Sequence, residues 1–362
     1  MRIAIATELF YPHIGGTELR LLEMAKRLVR RGHVVHIFTV RYDSRHPKEE
    51  EKDGIRIHRY ADNTGYVTSS GLRSIRGVLT YALSTMIRAA AADFDVWYFS
   101  QWPMIHSLLS KTLVSPLVQE WCEVWYRKIV PFEKAMSRAT RHHVAVSELI
   151  KRRMVEFLRI RSEDIVTIHS GVDLALFGGS NWEKKWGKIV YVGRMTPHKR
   201  LDILLNAYRL AKAAAPEIEL HLAGSGPTLP SISREASKLN GVHVHGYISE
   251  DAKVKLLRSS WLFAMPSERE GLPHGPLEAM AAGTPVLTVN YADNGTVDIC
   301  KEGNGIVTSP EPQAIALAIR RMLREEGEWK QMSVRARHFA ERFNWNRSVD
   351  DLETYLTSVV EK

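Results

Sequence analysis

Between positions 267 and 287 the chain reads SEREGLPHGPLEAMAAGTPVL, with Glu270 and Glu278 on either side of a stretch full of glycine and proline. Such a stretch can be neither a regular helix nor a regular strand, so the two carboxylates bracket a loop. A helix is expected to follow, with Pro276 near its first position and Gly283 just past its end. That puts Glu278 in the first helical turn, close to exposed backbone donors. The plain alternative is that Glu278 only complements the helix dipole, worth about 0.3–1 kcal/mol, and that Glu270 is a surface residue.

Three other loops carry groups suited to an anionic ligand. LFYPHIGGTELRLLEMAKRLVRRGH sets Gly15 and Gly16 before a helix expected over residues 17–31. Bare backbone and the positive end of a helix dipole suit a phosphate there, although a simple strand-to-helix turn has the same sequence. GRMTPHKRLD, which begins at Gly193, sets Arg194 and Lys199 five residues apart at a helix start. A rigid guanidinium fork and a mobile ammonium can together neutralise a diphosphate, but basic loop residues are also commonly just solvated. LAGSGPTLPS holds Gly224 and Gly226 after a strand and lacks the third glycine of a dinucleotide fingerprint, so it reads as a turn within reach of a nucleotide.

The elements that must position these loops follow from the hydrophobic pattern. Short apolar runs (RIAIAT, VVHIFT, DVWYFS, PLVQ, HVAV, IVTI) alternate with helical patterns up to about residue 170. After HSGVDLALFGGSNW the alternation restarts with KIVYVG, IELHLAG, VHVHG, WLFAMPS and PVLTV. This pattern implies βαβ units, hence two α/β domains with parallel sheets: residues 1–172 and residues 173–344. Helices are expected at about 311–325 and 328–342. A last amphipathic helix within 345–362, with Val349, Leu352, Tyr355, Leu356 and Val359 on one face, needs a surface to dock on. Ligands of open parallel sheets bind beyond the carboxyl ends of the strands, and two sheets facing each other would form a cleft.

Four loops at strand ends, in the order GG, GR…K, GSG and E-x7-E, resemble the retaining GT-B glycosyltransferases of family 4, over nearly the whole chain. The resemblance implies two Rossmann-like domains, with the 345–362 helix packing back on the first. It also implies transfer of a hexose, with mannose one candidate, from a nucleotide-diphosphate sugar to a saccharide or lipid-linked acceptor, with no metal and no cofactor. By the same resemblance Glu270 touches the transferred sugar, Glu278 binds the ribose hydroxyls, and backbone around Leu272, His274 and Gly275 meets sugar and phosphates. Arg194 and Lys199 grip the diphosphate, and Gly16 belongs to the loop that closes over it.

Three positions depart from the family pattern: Pro273 replaces a glycine, Ser170 begins the hinge in place of asparagine, and Cys122 falls at or beside a histidine that many members carry near the donor sugar. Two other readings stay open on these residues, a catalytically silent sugar-nucleotide-binding subunit and a nucleotide-sugar epimerase.

Length, at 362 residues, argues for more than one core. The formal charge is +9, and residues 1–170 hold 26 basic against 18 acidic side chains, so the first half should favour anionic partners. The basic positions match no recognised nucleic-acid-binding module. They include Arg73, Arg76, Arg88, Arg127, Lys128 and Lys151 to Arg153, and suit either plain solvation or an acidic membrane with a phosphate-bearing lipid acceptor. Trp102 and Trp125, in loops, could stack on an acceptor. Cys122 and Cys300 are the only two cysteines and lie far apart, which fits a reducing compartment. The start of the chain reads as a first strand and not a signal peptide, so a cytoplasmic protein is expected, with any membrane contact peripheral. Asp93–Asp95 and His142–His143 are poor metal ligands on this reading.

Overall fold

Strands covered by helices on both faces must be apolar nearly throughout. β1 (Arg2–Ala6) is buried at four of its five positions, and β5 (Val96–Phe99), β6 (Leu117–Trp121), β12 (Ser260–Met265) and β14 (Val286–Val289) at every one. The computed structural model describes residues 1–13, 15–61, 66, 73–91, 93–103, 105–110, 116–124, 130–179 and 183–361. It divides into two units: Met1–Ser170 with Trp345–Lys362, and Gly171–Asn344.

The first unit adds β2 (Val34–Val40), β3 (Glu49–Lys52), β4 (Ile55–Tyr60), β7 (His142–Ala145) and β8 (Ile165–Thr167), giving one sheet in the order β3-β4-β2-β1-β5-β6-β7-β8. Every neighbouring pair is parallel except β3 with β4, an antiparallel edge. Alternate residues of β1 face opposite layers. Ile3 and Ile5 pack with the helix Gly16–Arg30, while Ala4 and Ala6 meet Phe38, Trp97 and Phe99. The helix Trp345–Val360 belongs to this unit: Trp345, Val349, Leu352, Leu356 and Val359 pack in one cluster with Leu21, Met24 and Leu28 of the first helix.

The second unit holds β9 (Lys185–Val192), β10 (Glu219–Ala223), β11 (Val242–Gly246) and β16 (Gly305–Thr308) with β12 and β14, all parallel, in the order β11-β10-β9-β12-β14-β16. A separate two-stranded ladder joins β13 (Arg269–Glu270) to β15 (Asp293–Asn294). Helices Pro312–Arg324 and Glu326–Glu341 stand close to their expected places.

A buried ion pair lies at the centre of the first unit. Arg20 interrupts the apolar face of the first helix and is 1% exposed. Its Nε donates to Glu120 Oε1 at 2.7 Å, and its two terminal nitrogens donate to Ser170 Oγ and to the Ile168 carbonyl. Tyr98 donates to the same carboxylate oxygen at 2.7 Å. Desolvating both ions is costly, so removing one partner strands a charge where water cannot reach it. Arg20→Leu should therefore lower stability by about 3–5 kcal/mol, seen as a lower urea midpoint, with much of the loss recovered when Glu120→Leu is added.

Candidate active site

The GR…K loop of the second unit leaves β9 at Gly193. Its path is fixed by backbone bonds to the neighbouring loop: Gly193 N–H donates to Ala223 at 3.0 Å, Met195 N–H to Ser225 at 2.7 Å, and Thr228 N–H back to Met195 at 3.1 Å. The two loops touch so closely that a Cβ on Gly224 would stand 1.9 Å from the Gly193 carbonyl oxygen, and one on Gly226 2.3 Å from that of Met195. Both glycines also have positive φ, +137° and +149°, so their first duty is to let one backbone pass another. Tyr191, fully buried, props the loop from below by donating to the Arg194 carbonyl at 2.7 Å.

Beyond Gly193 the side chain of Arg194 is exposed and makes no hydrogen bond or ion pair with the described residues. A 3₁₀ turn, Pro197–Lys199, and a left-handed Arg200 (φ 51°) then lead into the helix Leu201–Lys212. The turn directs Lys199 inward, where its ammonium bonds to Glu270 Oε1; the two side chains are 10% and 9% exposed. Glu268 N–H donates to the His198 carbonyl at 2.7 Å, so backbone and ion pair join the same two loops. Burial, and then the Lys199 charge, push the His198 pKa down to about 4, leaving its ring neutral at pH 7.

Glu270 ends the short strand β13, and its carbonyl accepts from Gly295 N–H at 2.9 Å. Leu272 is half-buried against the core. Gly275 passes under the end of β9: a Cβ there would be 3.0 Å from the Val192 carbonyl oxygen and 3.2 Å from Phe263.

The helix begins earlier than expected, at His274, and runs to Ala281, with Gly283 (φ +69°) just beyond. Pro276 is its third residue. Glu278 consequently lies in the second turn and not the first, and its partner is not the helix end but Lys253, whose Nζ is 2.8 Å from Oε1. Lys253 comes from the helix Glu250–Ser259, also pairs with Glu250 at 3.0 Å, and stands 5.2 Å from the Phe177 ring centroid. Burial pulls its pKa down, but the carboxylates of Glu278 and Glu250 raise it overall. No motif marks this lysine. An acidic residue at 250 and a basic one at 253 read as an ordinary i,i+3 surface pair.

Around these loops Thr228, Ser267 and Thr296 each bury a hydroxyl that finds no partner among the described residues. Arg194 and Lys199 thus follow the carboxyl end of β9, and Glu270, Leu272, His274, Gly275 and Glu278 lie in the segment that follows the carboxyl end of β12.

The remaining candidates lie in the first unit. Gly15 caps the helix Gly16–Arg30, one residue earlier than expected, and the Glu18 carboxylate lies over it: a Cβ on Gly15 would be 2.2 Å from Oε2. Cys122 follows β6 with its thiol 3.8 Å from Thr17 Oγ1 and 3.8 Å from Glu120 Oε2. Burial and that carboxylate raise the thiol pKa well above its usual value, so it stays protonated. Trp102 donates to Glu123 Oε1 at 3.1 Å, and the Arg73 guanidinium covers its ring at 4.6 Å. Trp125, Arg127 and Lys128 lie outside the described residues. Asp95 accepts from Arg2 N–H at 2.6 Å, and His143 is buried against Trp121.

Two family profiles divide the chain between them. Glycosyltransferase Family 4 matches residues 14–176, and Glycosyl transferases group 1 matches residues 175–339. The chain is a glycosyltransferase of the group 1, family 4 type. It transfers a sugar from a nucleotide sugar, and its fold is GT-B. A D-inositol 3-phosphate glycosyltransferase of Nocardioides sp. is 24% identical over 92% of this chain and 83% of its own. Among solved structures, sucrose-phosphate synthase from Thermosynechococcus elongatus superposes with a TM-score of 0.82 at 19% identity, covering 99% of this chain and 98% of the other. HepE of Anabaena, in complex with UDP-glucose, gives 0.78 at 19% identity over 99% and 100%.

The Lys253–Glu278 contact of this glycosyltransferase can be weighed by a double-mutant cycle. Lys253→Met alone should lower the unfolding midpoint, and Glu278→Gln should then cost less when added to the Lys253→Met variant than when made in the parent, with a coupling of about 0.5–3 kcal/mol.

Proposed function

We propose that this glycosyltransferase moves a hexose, with retention of anomeric configuration and without a metal ion, to a saccharide or lipid-linked acceptor. The reading rests on one observation above others: Lys199, nearly buried, is tied to Glu270, and Arg194 of the same loop is exposed and makes no ion pair with the described residues. An ammonium has three donors, so Lys199 can keep Glu270 and still reach a phosphate oxygen.

As the bond between the anomeric carbon and the diphosphate oxygen breaks, its electron pair leaves with the diphosphate. Arg194 and Lys199 stabilise that charge. The acceptor hydroxyl attacks on the face the diphosphate vacates, and its proton passes to the departing phosphate oxygen, so no protein base is required. Glu270 orients the hydroxyls of the transferred sugar, and Glu278, kept in place by Lys253, receives the ribose hydroxyls. Backbone at Leu272, His274 and Gly275 serves the sugar and phosphates.

Lys199→Ala should reduce kcat by about 10²–10³-fold with either UDP-glucose or GDP-mannose, whichever supports turnover, while the circular-dichroism melt shows a folded protein. Turnover within a few-fold of the parent would remove the diphosphate role. Donor binding without release of nucleoside diphosphate, across a broad acceptor panel, would favour a silent binding subunit, and an isomerised sugar an epimerase.

A lipid-linked acceptor gains support from the helix Ile75–Ala91. Ile75, Leu79, Leu83 and Ile87 recur every fourth residue and are 80%, 41%, 45% and 63% exposed. Arg76 and Arg88 flank this apolar stripe, as on helices that lie in the headgroup region of an anionic bilayer. Among the described residues no helix is long and apolar enough to cross a membrane. Co-sedimentation should show binding to phosphatidylglycerol vesicles that is reduced by Leu83→Glu. Equal partitioning onto neutral and anionic vesicles, or no change in that variant, would count against the surface.

A further inference from the structure

The sheet of the second unit ends in β10 and β11, and one face of these strands carries three imidazoles and a carboxylate. Residues two apart on a strand share a face, so Glu219 stands with His221, and His243 with His245. The parallel register sets His221 opposite His243, which brings all four side chains to one strand boundary. The His221 ring stacks on His243 with centroids 4.7 Å apart and on His245 with centroids 5.2 Å apart. His221 Nδ1 and His245 Nε2 share a proton across 2.9 Å, and His221 Nε2 is 3.5 Å from Glu219 Oε2. One ligand atom from each of Glu219, His221 and His243 falls within 4.8 Å of the others. Glu219 and His221 are half-buried, and His243 and His245 are exposed, so the group is open on one side.

These residues stand on the strands β10 and β11 and not in the loops assigned above to sugar transfer. Stacked imidazoles in an exposed strand also contribute little to a hydrophobic core. Their donor chemistry is better defined: two or three imidazole nitrogens and one carboxylate oxygen suit late first-row dications. We propose that Glu219, His221 and His243, with His245 as the fourth group, bind a transition-metal dication of the Zn²⁺ or Ni²⁺ type.

Nitrogen and oxygen ligands lie about 2.0–2.2 Å from Zn²⁺, so the present spread closes by rotation of the exposed His243 with the strands left in place. Two cations stand nearby. Lys185 Nζ bonds Glu219 Oε2 at 2.7 Å, and Lys188 lies opposite Glu219 on β9. The contacts of Lys185 and His221 both use Oε2, which leaves Oε1 for the metal. The ion would fasten the edge strand β11 to β10 and stabilise the second unit by mass action.

The test is calorimetric titration of the full chain with ZnCl₂ after chelator treatment and dialysis, alongside a thermal melt. The chain has 15 histidines, so weak scattered binding is the background to be separated. The expected result is one saturable site per chain with a raised melting temperature. His221→Ala and His243→Ala should each weaken it by at least about tenfold. His36→Ala, which breaks the unrelated His36–His58 pair of the other unit, should leave it intact. Lys185→Ala should tighten it. His243 is exposed, so its variant keeps the fold even if the His221 variant does not. A site that survives both histidine substitutions, or no saturable binding at micromolar protein, overturns the proposal.

Discussion

An ammonium and a carboxylate 71 residues apart in sequence share a hydrogen bond with little water around either. Lys199 and Glu270 can be taken out of water only together, and that requirement fixes how two loops meet. The 3₁₀ turn at Pro197–Lys199 and the left-handed Arg200 direct the lysine inward. The Glu268 amide on the His198 carbonyl, and the β13–β15 ladder behind it, hold the glutamate up to it. The same loop carries an exposed guanidinium, Arg194, that makes no ion pair with the described residues. That combination suits a ligand whose charge changes during reaction, because the fixed groups need not reorganise.

The first unit uses a related arrangement for a different end. Arg20 and Glu120 are buried completely and every guanidinium contact is internal, to a carboxylate, a serine and a carbonyl. It joins the first helix to the ends of β6 and β8, close to the thiol of Cys122. Lys199 and Glu270 keep a remnant of exposure, whereas Arg20 and Glu120 keep almost none.

Much of this was legible in the sequence. Continuous apolar runs of four or five residues mark β1, β5, β9 and β12, because such strands are covered on both faces. The edge escaped: EEEK, now β3, has no apolar residue, and IRIHRY, now β4, carries three basic or imidazole side chains among its isoleucines. The glycines of the GSG loop were visible, but their closest neighbour is backbone, which no local pattern can show. Arg20 reads as an exposed position on an amphipathic helix until Glu120, 100 residues later, is placed beside it. Lys253 fails for the same reason, since its importance lies in Glu278 on another helix. The start of the helix at His274 was missed because Pro276, a residue favoured at the first position, sits at the third.

The contact between Gly193 and Gly224 restricts how this protein could be re-engineered. Two main chains occupy the space that side chains would need in order to diversify that rim, so a library aimed at donor preference would yield mostly misfolded clones at 224 and 226. Variation is better tolerated where side chains already define the wall, at Thr228, Leu272 or His274. Families that change donor on such a scaffold should do so by exchanging those neighbours while the doubled backbone beneath stays constant.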